Sequence, residues 1–215
     1  MVYSTTDLES QLWVDGYNLV CGIDEVGRGS FAGPVCVGAV IFPKDCEFLD
    51  GIADSKLLTP KQREKLSKEI KKCAVCWAVS EISVSVINKV GIGKATQMAF
   101  RKAIRMLSPR ADFVVFDAFY NFNEVKIPSS AYIKHFNRKN QKAIKDGDKI
   151  CASISAASII AKVYRDKLMK NLSKKYPKYG FAKHKGYGTK LHQEALKKYG
   201  LSKIHRKSFN LGRFL

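Results

Sequence analysis

The sequence has no apolar run long enough to cross a bilayer. Its longest, Phe31 to Phe42, is short and interrupted by glycine. The first ten residues lack a basic n-region followed by an apolar h-region, so no export signal is read and a cytoplasmic location is expected. Cys73 and Cys76 spell C-x-x-C, but no second pair or suitably spaced histidine accompanies them, so a zinc site is not expected. No Cys–His or Ser–His–Asp order is apparent. His135, His184, His192 and His205 are scattered and read as surface or substrate-facing groups. Acids are also few: 19 Asp and Glu against 38 Lys and Arg in 215 residues, a formal net charge of +19.

The positive excess is uneven. Residues 161–215 hold 16 basic and 2 acidic residues, a net of +14, whereas residues 1–160 hold 22 and 17, a net of +5. Such a concentration points to a polyanionic partner, and Pro177 with its neighbouring glycines excludes one long amphipathic membrane-surface helix. Hydrophobic residues make up 46% and charged residues 27%, an ordinary globular balance with no repeat or low-complexity linker.

Val20–Asp24 and Val35–Ile41 read as adjacent strands around the Gly27–Gly33 loop. Thr59-Pro60-Lys61-Gln62 reads as a capping box opening a helix to about Lys72. A strand over Ala74–Ser80 follows. A helix after Gly91/Gly93 should bury Ala95, Met98, Ala99, Ala103, Met106 and Leu107. Short strands are expected at Phe113–Phe116 and Tyr132–Phe136. The next helix carries Ile154, Ala157, Ala161, Tyr164 and Leu168 on one stripe, and a last one spans Lys190–Tyr199. The whole reads as an α/β fold, a sheet flanked by helices with a basic, helical C-terminal appendage.

In so basic a chain, acids at strand ends stand out. A nuclease without a nucleophilic side chain can use two divalent ions, one activating water and one steadying the leaving oxygen, and hard ions such as Mg²⁺ need several converging carboxylates. Asp24-Glu25 ends the first strand, and Asp117 ends the short strand Phe113–Phe116. Neighbouring strand residues point to opposite faces, so the chain should end or bend for both Asp24 and Glu25 to reach one site. Asp148 precedes the small-residue helix and could equally be a helix cap.

Cys21-Gly22-Ile23-Asp24-Glu25-Val26-Gly27-Arg28-Gly29, then Ala32-Gly33-Pro34-Val35, closely resembles the opening signature of the type 2 ribonucleases H, specifically the ribonuclease HII family. Asp54-Ser55-Lys56, Ser155 through Val163 with Arg165-Asp166, Tyr179 through Thr189, and His205 through Phe209 continue the resemblance in family order, from about residue 19 to 210. It implies a ribonuclease H-like mixed sheet flanked by helices, with a catalytic core over residues 1–170 and a basic helical extension over 171–215 in the same structural unit. It also implies a Mg²⁺- or Mn²⁺-dependent endonuclease using two metal ions. Such an enzyme cuts the RNA of RNA–DNA hybrids and incises duplex DNA 5′ to an embedded ribonucleotide, serving ribonucleotide and primer removal. The family's metal-binding acids map onto Asp24, Glu25, Asp117 and Asp148. Asp146 is a rival for the fourth, since it stands where lysine is usual; the offset of Asp148 to the Ser-Ala-Ala-Ser helix favours Asp148. Ser30-Phe31 is a second departure, where proline and an aliphatic residue are frequent. The loop reading the ribose 2′-OH maps onto Gly27, Arg28 and Gly29, with Tyr187 at the ribo–deoxyribo junction.

The chemistry of these residue types agrees. The 2′-OH separates RNA from DNA, and a glycine-flanked loop can bring main-chain groups to it. Lys56, Lys183, His184 and Lys185 are expected on the substrate, the last three on phosphates with Arg28 near the reacting one, which predicts steep salt dependence. In-line attack by activated water should leave a 3′-OH and a 5′-phosphate, the 2′-OH serving recognition. About twenty residues precede Asp24, too few for the extra N-terminal domain of ribonuclease HIII. A monomer is the default. The tail Phe209–Leu215 could bind a sliding clamp, although a short apolar end more often packs on its own domain.

Overall fold

A computed structural model describes residues 4–44, 46, 52, 55–117 and 140–215. The elements are α1 (Asp7–Val14), β1 (Val20–Val26), β2 (Val35–Ile41), α2 (Pro60–Cys73), β3 (Cys76–Ile82), α3 (Val84–Val90), α4 (Ile92–Met106), β4 (Phe113–Asp117), β5 (Gln141–Ile144), α5 (Gly147–Ile150), α6 (Ala152–Lys175), α7 (Phe181–His184) and α8 (Lys190–Tyr199). The sheet runs β3-β2-β1-β4-β5. The β1–β2 and β2–β3 pairs are antiparallel, while β1–β4 and β4–β5 are parallel. No described helix is long and apolar enough to cross a membrane.

The alternating sequence signals survive well. β2 is buried along its whole length, as a near-continuous apolar run should be. The capping box opens α2: Thr59 Oγ1 accepts from the Gln62 N–H at 3.3 Å, and Gln62 Oε1 accepts from the Thr59 N–H at 2.8 Å. β3 starts two residues later than expected, at Cys76.

The expected stripe on α4 is partly wrong. Ala95, Ala99 and Ala103 are buried, but Met98 and Met106 are exposed, and Thr96, Phe100 and Ile104 take their place. Phe100 and Ile104 extend the buried face round the helix beyond the alanines. The helix α1, the short helix α3 and the polar edge strand β5 carried no readable signal. The strand expected at Tyr132–Phe136 lies outside the described residues.

α6 governs the layout. Residues 151–161 are buried on every side, because this half of the helix lies directly on the sheet. The approach is close enough that a Cβ on Gly22 would strike the Ser153 backbone, and one on Gly38 would strike the Ala157 carbonyl. The N-terminus of α6 is held by buried Glu9, whose Oε1 accepts from the Ser153 N–H at 2.8 Å and from the Cys151 thiol at 3.2 Å. A carboxylate there satisfies an orphan donor and complements the helix dipole. The far half of α6 carries the C-terminal helical extension, packed around Ala32, Met169, Tyr179, Phe181 and Ala195.

Gly38→Ala should lower unfolding free energy by at least ~2 kcal/mol, since neither sheet nor helix backbone can yield cheaply. Urea denaturation would measure it; a wild-type midpoint would mean that α6 does not press on the sheet as described.

Candidate active site

Asp24, Glu25, Asp117 and Asp148 line one cavity of about 470 Å³, together with Gly27, Arg28, Gly29, Ser55, Lys56, Ser158, Lys162 and Tyr187. β1 brings the first two acids. It neither ends nor needs Gly27 to bend it there, because pairing with β2 continues to Val26. What opens the site is the other edge, where the β1–β4 ladder stops at Ile23–Phe116. The strand ends beyond it carry Asp24, Glu25 and Asp117 to the C-terminal edge of the parallel pair, the place where open α/β sheets expose their chemistry.

Each acid has its own protein contact. Asp24 lies beside the Ser158 hydroxyl, which is itself 2.9 Å from Ser55 Oγ. Glu25 Oε1 lies 4.0 Å from Arg28 Nη1. Asp117 Oδ1 accepts from the Gly147 N–H at 2.8 Å, and Asp148 Oδ2 from Lys56 Nζ at 3.0 Å. Burial pushes the Asp24 carboxyl well above the usual carboxylate range, with Glu25, Asp117 and Asp148 adding repulsion. Burial likewise raises Glu25, partly offset by Arg28, and raises Asp117, partly offset by the Gly147 N–H. Asp146 stands outside this cavity: it is exposed, ion-paired to Lys149 at 2.7 Å and held below the carboxylate range by that lysine. Asp112 is structural, accepting from the Asn18 and Leu19 N–H groups.

Among the described residues, no three acidic, histidine or cysteine side chains already stand as a ready metal cage. The donor set nevertheless fits a hard divalent cation: four oxygen-bearing acids on one wall, three of them raised by burial and mutual repulsion that a cation would relieve.

The Gly27–Gly29 loop and the Tyr187 loop form one unit. Gly186 O accepts from the Phe31 N–H at 2.8 Å, and Arg206 Nη1 donates to Arg28 O at 2.6 Å. Arg165 donates to the carbonyls of Pro34, Ala32 and Lys185, and Arg206 also to Gly33. Gly27, at φ +88°, leaves the space that the Arg165 guanidinium fills. Phe31, the departure from the family pattern, lies against Gly188 and packs on His192 and Phe214. Tyr187 is exposed on the cavity, its ring within 5.9 Å of Lys162 Nζ and 5.5 Å of the Arg165 guanidinium.

The histidines require correction. His184 is buried, with Nε2 bonded to Tyr179 O and Nδ1 accepting from the Gly186 N–H, so neither nitrogen is left for a phosphate. His192 and His205 are also buried. Since His205 Nδ1 accepts from the Ser202 N–H, its Nε2 proton points at His192 Nε2, 2.9 Å away, and the His192 Nδ1–H then donates to Tyr187 O at 3.0 Å. This chain of neutral imidazoles braces the tyrosine loop from behind. His135 lies outside the described residues. Lys183 is exposed away from the acid cavity, and Lys185 lines a neighbouring groove. The tail packs on its own domain through buried Leu211 and through Phe214 against Phe31.

Ser158, Lys162, Arg165 and Arg206 lie in segments that carry the family resemblance, but no sequence signal assigned any of them a site role. The first three lie in the small-residue helix, whose pattern announces only packing. Arg206 follows His205 in a motif with no periodic or metal-ligand spacing.

A five-stranded mixed sheet with acids from β1, β4 and α5 sharing one cleft defines a ribonuclease H-like enzyme core. The ribonuclease HII family profile matches residues 21–211. The chain is 44% identical over 203 residues to a ribonuclease HII of Caldicellulosiruptor bescii, covering 94% of this chain and 92% of that one. It superposes on the ribonuclease H2 of Pyrococcus horikoshii with a TM-score of 0.76 at 29% identity, covering 91% and 95% of the two chains. A Bst ribonuclease HIII crystallised with Mn²⁺ shares the fold at 19% identity and TM-score 0.67, covering 92% and 68%. The chain belongs to the ribonuclease HII family and is a hydrolase of that family.

Two measurements check the electrostatics. The raised Asp24 carboxyl costs stability above its unfolded pKa, so Asp24→Asn should raise the melting temperature of metal-free protein while losing hydrolysis; a lower melting temperature would contradict the strain. Burial holds His192 and His205 down to about 4. The unfolded chain therefore binds more protons between about pH 6.5 and 4. The stability these neutral rings contribute is full above the unfolded value and falls as pH drops towards 4. The raised carboxylates act in the opposite sense, so the readout is a difference: a His192→Gln/His205→Gln variant should lose less stability than wild type across that window.

Proposed function

We propose that the protein is a divalent-metal-dependent endonuclease. It hydrolyses the RNA of RNA–DNA hybrids and incises duplex DNA on the 5′ side of an embedded ribonucleotide, leaving 3′-OH and 5′-phosphate ends. The observation that carries this reading is that the Gly27–Gly29 loop and Tyr187 open onto the same cavity as the four acids, the two loops being joined next to them by the Phe31 N–H on Gly186 O and each held by a buried arginine. A 2′-OH reader and a hydrolytic centre in one rigid unit select for ribose at the scissile position.

Asp24, Glu25, Asp117 and Asp148 would hold Mg²⁺ or Mn²⁺, which would lower the pKa of water and offset charge on the departing oxygen. The chain's own groups do the rest. Among the described residues Gly29 makes no hydrogen bond, and a Cβ there would meet open space, so its main-chain N–H and C=O are open to the 2′-OH. Tyr187 presents its ring to the neighbouring deoxyribose, steadied by Arg165 and by the imidazole chain behind its carbonyl. Arg28 lies on the phosphate side, beside Glu25. Lys56 and Lys162 supply positive charge at the cavity wall. Four acids on one cavity would be wasted on a protein that only binds hybrids. A clamp partner for the tail would have to lift Phe214 off Phe31, and of the tail's apolar side chains only Leu215 is exposed.

Duplex DNA with one ribonucleotide, incubated with Mg²⁺ beside an all-DNA control, should be cut once, 5′ to the ribonucleotide. The 3′ end should be extendable by a polymerase. Tyr187→Ala should slow this junction cut at least ~10-fold, the loss of one positioning interaction of about 1.4 kcal/mol, with a smaller effect on long hybrids. Cyclic phosphate ends or cleavage of the control would sink the reading.

A further inference from the structure

A second concave surface begins where the acid cavity ends. Along α6, Ser158, Lys162, Asp166 and Lys170 recur every four residues on one stripe, so at 1.5 Å per residue Lys170 stands about 18 Å from Ser158. Ser158 and Lys162 line the acid cavity, whereas Asp166 and Lys170 line a groove of about 480 Å³ between α2 and α6. Lys68 and Lys71 enter that groove from α2, and Lys167 from α6.

The groove's main acid is already neutralised. Asp166 Oδ1 pairs with Lys162 at 2.6 Å, and Oδ2 lies 3.8 Å from Arg63, which also donates to the Ser55 and Leu58 carbonyls. Glu64 is the other acid on the wall. Among the described residues Lys68, Lys167 and Lys170 have no ion-pair partner. Partial burial and the charge of Lys167 hold Lys71 below the usual lysine range; burial, with Lys162, Lys170 and Arg63 nearby, does the same to Lys185. Scattered surface lysines relax into solvent. These are gathered in a concavity, repel one another and continue a track from the acids, an arrangement that a line of phosphates would relieve.

We propose that the α2–α6 groove carries the phosphodiester backbone of the duplex arm flanking the scissile bond, with Lys68, Lys71, Lys167 and Lys170 as its phosphate contacts. The inference rests on the ribonucleotide-junction reading above. At 3.4 Å per nucleotide step, the 18 Å reach places the last of these lysines about five base pairs from the cut. An acidic protein segment is the alternative occupant. It is disfavoured because the groove is an extension of the substrate cavity along a single helix face.

The test measures binding by fluorescence anisotropy over a range of salt concentrations, in the non-cutting Asp24→Asn background, with and without Lys68→Gln, Lys71→Gln, Lys167→Gln and Lys170→Gln. Duplexes carry one ribonucleotide and either two long arms or one arm trimmed, on either side, to less than the 18 Å span. With long arms the fourfold variant should bind at least ~10-fold more weakly, and its log–log salt slope should be shallower by about 0.9 for each phosphate that is no longer neutralised. Trimming one particular arm should weaken the parent to the same degree and leave the variant unaffected. Melting curves of the variant establish that it is folded, since these side chains are exposed or half-buried. Equal salt slopes, or equal sensitivity to trimming, would overturn the proposal and leave the groove to an acidic protein partner. Wild-type cleavage of the same duplexes is followed in parallel: no cut removes the junction reading itself, whereas a normal cut with equal slopes removes only the groove.

Discussion

The seat of α6 on the sheet is the contact from which the site follows. With no Cβ on Gly22 or Gly38, the helix backbone at Ser153 and Ala157 rests directly on β1 and β2. That distance places Ser158 against Asp24, Lys162 at the wall of the acid cavity, and Arg165 beneath the Gly27–Gly29 loop. Glu9 holds the start of α6, and Gly147 at the start of α5, the short helix just before it, holds Asp117. A close-packed contact between backbones is rigid in a way that long side chains are not, and the metal-binding chemistry proposed for these acids needs that rigidity.

The site stores opposed costs on its two sides. On one wall, acids are buried close together and raised. On the other, Arg165 and Arg206 are fully buried with no carboxylate partner among the described residues, and burial plus the neighbouring Arg165 lowers Arg206 to about 9. Most of their donors meet main-chain carbonyls of the two loops, while Arg206 Nη2 is buried without a hydrogen-bond partner. Burying such charges is expensive, and what it achieves here is a fixed relation between two loops distant in sequence. The neutral imidazoles behind Tyr187 serve the same end without adding charge. The four acids gather in one cavity and Lys68, Lys71, Lys167 and Lys170 in the groove beside it, so the two clusters of charge are kept apart.

Much of this was legible in the chain. The apolar runs of β1, β2 and β4 and the Thr59–Gln62 box gave their elements because the signals are local: strand alternation and capping act within a few residues. The acids stood out because so few exist in a +19 chain. β5 was missed because its pairing with β4, not its own polar composition, makes it a strand. Glu9 was missed because nothing near it in sequence indicates that its partner is Ser153. The histidines were misjudged because exposure is not a local property; rings read as surface groups are stacked in the core of the extension.

Sequence alone determined the α/β class, the positions of the acids and their likeness to one enzyme family, since each of these is written in short motifs and in residue type. Only the tertiary structure decided that β1 need not bend, that Asp148 and not Asp146 lines the cavity, and that His184 braces a loop. It also decided that a lysine groove continues from the acids. Those outcomes depend on how strands, helices and loops pack against one another, and such packing leaves no periodicity in the sequence.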